Sequence, residues 1–166
     1  MHRHGGGHSY KCPACGKPRT LAATYQTFNR MKVEFLDDIT DNGRYPDADP
    51  DMLIRLYSFD QIEASKLRAA IQFQLVERND VLDLSTLDFI QTENCTLRFE
   101  ISKQKKGIEP SFDRNFVCQM SIEDYENMIS IIEPFANDEN EMSGYSWLYD
   151  PAKGKINLLF SPGGTW

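Results

Sequence analysis

NFVCQMSIEDYENMISIIEP, residues 115–134, holds in one run an apolar strand, a helix cap, an amphipathic helix and a stop. NFVCQM reads as a strand. Ser121 then offers a side-chain oxygen to the first free N–H groups of a helix, and Glu123 and Asp124 put negative charge where the helix dipole favours it. Ile122, Tyr125, Ile129 and Ile132 recur at helical spacing, which predicts a helix over residues 122–133 that Pro134 helps to stop.

The same order occurs upstream. MLIRLY at 52–57 is apolar except for Arg55, as a central strand is. Ser58 with Gln61 reads as a capping box, opening a helix over 59–77 with Ile62, Leu67, Ala70, Ile71 and Leu75 on one face. Before it, MKVEFL at 31–36 alternates as a half-buried strand, and DDITDNGRYPDADPD is a loop of turn formers. After each helix comes an expected hairpin, STLDFIQ with TLRFEIS in the first half and SWLYD with KINLLFS in the second. KQKKGIEPSFDR between the halves reads as a polar loop. The expected fold is therefore α+β: a mostly antiparallel sheet with two helices packed on one face, a two-layer sandwich built from two β-α-β-β units.

Charge divides the chain unevenly. Residues 1–30 hold five Lys or Arg and no acid, whereas residues 31–166 hold 13 basic and 25 acidic residues. An acidic body is repelled by phosphate backbones, so nucleic acid is not its expected partner, and a basic protein is. The chain has no apolar run long enough to span a bilayer and no secretory signal, so no membrane partner is expected and the cytoplasm is the expected compartment. Cysteine usage agrees with a reducing compartment: Cys12 and Cys15 form a C-x-x-C pair, and Cys95 and Cys118 lie in apolar stretches as small core residues.

The first 30 residues read as a flexible segment set apart from the body, with all three histidines of the chain. Tyr10-Lys11-Cys12-Pro13-Ala14-Cys15-Gly16-Lys17 resembles a zinc knuckle of the zinc-ribbon type. The resemblance covers these eight residues and lacks the second C-x-x-C that completes a ribbon. It implies a zinc ion held by the Cys12 and Cys15 thiolates. His8 and His4 then supply the remaining two ligands of a closed, structural shell. A truncated ribbon, a site shared by two chains and a redox pair remain alternatives. A docking role of the ribbon kind would give residues 1–30 a nucleic-acid contact.

The body has no histidine, which removes Ser-His-Asp and Cys-His machinery, and it lacks P-loop and dinucleotide-binding motifs, so no catalytic residue is assigned. Asp37, Asp38, Asp41 and Asp47 read as a solvated loop. Arg55 interrupts an apolar strand and is expected to pair with a carboxylate or to face a partner. Trp166 ends the chain as either a partner anchor or a residue folded back on the sheet. Together these features describe a small acidic protein-binding module, of the inhibitor or immunity type, acting on a basic partner. The alternative is a zinc-containing accessory protein of nucleic-acid metabolism.

Overall fold

The computed structural model describes residues 30–40, 42–44, 47, 52–137, 144–151 and 155–166. Nine strands and two helices follow in the order β1 (Met31–Leu36), β2 (Leu53–Tyr57), α1 (Gln61–Ile71), β3 (Leu82–Asp83), β4 (Ile90–Thr92), β5 (Thr96–Ile101), β6 (Gly107–Pro110), β7 (Asn115–Met120), α2 (Ile122–Ala136), β8 (Ser146–Tyr149) and β9 (Asn157–Ser161). The class is α+β. In place of one sheet there are two mixed ones, ordered β4-β1-β2-β9-β8 and β3-β5-β7-β6. Four of their seven pairings are antiparallel.

Set side by side, the sheets repeat each other. The run β1-β2-β9-β8 is antiparallel, then parallel, then antiparallel, and so is β6-β7-β5-β3. Each unit is thus an antiparallel strand pair, a helix and a second antiparallel strand pair. The second pair of each unit joins the sheet of the other, β9 beside β2 and β5 beside β7. β4 is an addition to the first unit.

This exchange explains the one expected hairpin that does not form. STLDFIQ and TLRFEIS lie in different sheets, because β4 pairs in parallel with β1 while β5 pairs with β3 and β7. The connection is pinned as it crosses: Glu93 N–H donates to the Val33 carbonyl at 3.0 Å. The Asn94 amide exchanges two hydrogen bonds with the Phe35 backbone at 2.8 and 2.9 Å. The second expected hairpin, β8 with β9, forms with a register shift between Trp147 and Tyr149.

α2 begins as its sequence predicts, with Ser121 and Asp124 in a reciprocal capping box. It runs past Pro134 to Ala136, since buried Phe135 packs edge-on to Phe160 at 5.1 Å and so holds the last turn. α1 starts two residues later than the expected Ser58 cap. Asp60 caps it in a box with Glu63, while Ser58 sits at φ 58° and donates its N–H to Pro162. Burial of Phe59, stacked on Phe160 at 4.0 Å, keeps that residue in the turn ahead of the helix. Beyond Ile71 the helix widens into a π-helical stretch, Gln72–Glu77, which keeps Leu75 buried.

One continuous core joins the inner faces of both sheets to both helices. Two polar groups serve it. The Tyr125 hydroxyl lies 3.0 and 2.8 Å from the Glu100 and Cys118 carbonyls, bridging β5 and β7. Buried Glu63 accepts the N–H groups of Asp60 and Met31, tying the start of β1 to the start of α1.

Burial raises the Glu63 carboxyl above its ordinary 4.5, outweighing the two backbone hydrogen bonds that lower it. The folded state then holds a proton more tightly than the unfolded chain. Its contribution to stability is fully present below about 4.5 and is lost as pH rises through the folded-state value. Denaturant titrations of wild type and Glu63→Gln across pH 4–7 are expected to show wild type losing stability relative to the variant as pH rises. A gap independent of pH would refute the assignment.

Candidate functional site

Cys12, Cys15, His8 and His4 lie outside the described residues. Arg55 and the chain end that carries Trp166 are brought together. Across the outer face of the five-stranded sheet, the Arg55 guanidinium donates to Glu34 Oε2 through Nε at 2.8 Å and through Nη2 at 2.6 Å. It also donates to the Gly164 carbonyl at 2.6 Å and lies over the Tyr57 ring at 4.4 Å. The expected ion pair is present. Arg55 holds the C-terminal segment against β2, and the turn is completed by Ser161 Oγ donating to the Thr165 carbonyl. Trp166 ends it about half exposed.

Of the other sequence candidates Asp41 lies outside the described residues, and Cys95, Cys118, Asp37 and Asp38 are structural. Cys95 and Cys118 are buried and free, and burial pushes both thiols up to about 12, far from reactive. Asp38 accepts from Thr40 and Asn42 within its own turn, which holds its carboxyl below the ordinary range, and Asp37 pairs with Arg114. Among the described residues no group of three or more His, Cys, Asp or Glu is placed to hold a metal ion.

Two features that the sequence did not reveal stand out. The first is the tip of the β6–β7 hairpin. Phe112 to Asn115 form a type I′ turn, with Asp113 at φ 50°, Arg114 at φ 57° and Asn115 N–H donating to the Phe112 carbonyl at 3.0 Å. Glycine or asparagine normally fills both central positions. Here each holds a charged residue: Arg114 is fixed from outside the turn, pairing with Asp37 at 2.9 Å and lying over Phe35 at 5.7 Å, while the Asn115 side chain braces the turn by bonding to Thr96 and to the Phe112 carbonyl. The rigid result points Phe112 into solvent at 82% exposure.

The second is a cleft of about 270 Å³ between α2, β8 and the β5–β6 connection. Half-buried Trp147 and Tyr149 line it with Asn127, Asp124 and Asp150, and Lys105 reaches in to bond Asp124 at 3.0 Å. Burial raises the Asp124 carboxyl, but Ser121 and Lys105 outweigh that and hold it below the ordinary range. Tyr149 extends to Gly107, where a Cβ would stand 2.0 Å from its hydroxyl, so glycine alone fits. Between Arg114 and Lys153 the chain carries eight carboxylates and no Lys, Arg or His. Signals existed for both features: an aromatic in a polar loop, and a strand with aromatic residues beside an acidic run.

Set against models of known protein families and against curated proteins, the chain matches none. No helix among the described residues is long and apolar enough to cross a membrane.

Gly164 stands at φ +72°, and a Cβ there would meet the Tyr57 ring at 3.0 Å. Gly164→Ala is therefore expected to destabilise the protein by about 1–3 kcal/mol and to expose the C-terminal segment to carboxypeptidase. A variant as stable and as resistant as wild type would show that Arg55 does not hold the tail.

Proposed function

We propose that this chain is a small acidic protein-binding module whose partner is a basic protein, in the manner of an inhibitor or immunity-type protein. The observation that carries the reading is Phe112, a large apolar side chain presented to solvent on a turn that its neighbours lock. A locked turn loses little conformational freedom on binding, and an aromatic anchor of this kind is what dominates the energy of small interfaces. Asp113 follows it in the chain and Asp37 pairs with Arg114 of the same turn, and the net acidity of residues 31–166 favours a partner pocket rimmed by Lys and Arg. A binding role also agrees with the chemistry of the body, which has no histidine and whose two thiols are buried.

A photoreactive phenylalanine analogue at position 112, introduced in the cells that make this protein, is expected to crosslink a basic protein. With that partner purified, Phe112→Ala should weaken binding by about tenfold or more while leaving thermal unfolding unchanged, and added salt should weaken binding further. Crosslinking to an acidic protein or to nucleic acid, or full affinity in the alanine variant, would overturn the reading.

A further inference from the structure

We propose that the cleft between α2 and β8 receives one arginine side chain of the partner, and that Lys105 occupies its mouth as a displaceable stand-in. This rests on the reading of the chain as a module for basic proteins and adds a second, chemically specific contact to the one made by Phe112.

Size comes first. A cleft of about 270 Å³ lies just below the range of small-molecule and cofactor pockets, and so suits a single side chain. Its walls define the chemistry of that side chain. Trp147 and Tyr149 offer aromatic faces to a flat cation, and Asp124 and Asp150 offer carboxylate oxygens to its N–H groups. A guanidinium uses both kinds of wall at once, because it is planar and carries five donors in a fixed fork. An ammonium uses them less completely.

The cleft already pairs one of its carboxylates with a cation from its own chain. Lys105 Nζ lies 3.0 Å from Asp124 Oδ1 while 60% of the lysine side chain is exposed. An exposed pair of that kind exchanges readily for a competing cation. Lys105 belongs to the connection between β5 and β6, away from α2 in sequence, so it can withdraw without disturbing the Ser121–Asp124 capping box. Gly107 begins β6 and Phe112 opens the turn that follows it, five residues on, so at most about 17 Å of extended chain separates them.

Fluorescence tests the cleft without the partner. In a Trp166→Phe background Trp147 is the remaining tryptophan, and titration with N-acetyl-arginine amide should change its emission to saturation. The neutral isostere N-acetyl-citrulline amide should not, and the lysine amide should bind more weakly than arginine. Lys105→Met should tighten arginine binding several-fold by removing the competing cation, and Asp150→Asn should weaken it. Equal response to arginine and citrulline, no response to either, or an unchanged or weakened affinity in Lys105→Met would overturn the proposal. Crosslinking at residue 112 involves none of these groups. A failed titration with a successful crosslink would thus remove the arginine receptor and leave the binding module standing.

Discussion

Parallel pairing of β2 with β9, and of β5 with β7, is the constraint on which the rest of this structure depends. Neither unit can finish its own sheet: each sends its last two strands across to the hairpin of the other. The pairs join residues far apart in sequence, Leu56 with Phe160 and Leu97 with Phe116 among them, so their closure costs chain entropy that local helix formation does not repay. The repayment comes from the shared core, where Phe59, Phe135 and Phe160 meet between the units and Tyr125 spans β5 and β7 with its hydroxyl. An arrangement of this kind folds as one body, because half of it leaves two strands, β2 and β5 of the first unit, each with one edge unpaired.

Exchange of strands also decides where backbone edges are left over, and the two units close the matching edge differently. In the first, Glu63, β4, Glu93 and Asn94 together meet the outward N–H and C=O groups of β1 from Met31 to Phe35. In the second, Ser111 bonds Asn115 across the hairpin, and the alternation of an antiparallel ladder then turns the backbone groups of Ile108 and Pro110 away from β7. Proline has no N–H to offer a neighbouring strand. The edge is short and blunted, which guards against pairing with other chains.

Legibility followed the range of the interaction. Strands β1, β2, β7 and β9, both helices and the Ser121 cap were readable because period and capping are local. The choice between Ser58 and Asp60 was not, since both stand three residues ahead of a Gln or Glu and only the burial of Phe59 against Phe160 decides. β4 and β5 form no hairpin for a similar reason: Asn94 finds its partner in Phe35, 59 residues away. Arg55 was recognisable as an ion-pair former, because a guanidinium among leucines needs a carboxylate, but the Gly164 carbonyl that completes its shell was not. Phe112 escaped notice because SFDR contains no glycine to announce a type I′ turn. What permits that turn is Arg114 reaching Asp37 on the other hairpin.

The distribution of charge follows from the same architecture. The acid-rich stretch between Arg114 and Lys153 has no cation of its own, and the cations that meet it come from elsewhere in the chain: Arg68 of α1 pairs with Glu133, and Lys105 of the β5–β6 connection with Asp124. Its first acids also face the positive end of α2, which limits their mutual repulsion. Glu123, Glu126 and Asp150 remain exposed. Exposed charge of one sign acts at a distance and governs encounter and partner sign, but once screened by salt it holds little. Lasting contact needs surface that leaves water on binding. In the proposed reading Phe112, just past one end of β6, and Trp147 with Tyr149 near the other supply it, and Arg114 and Gly107 are among the neighbours that position them.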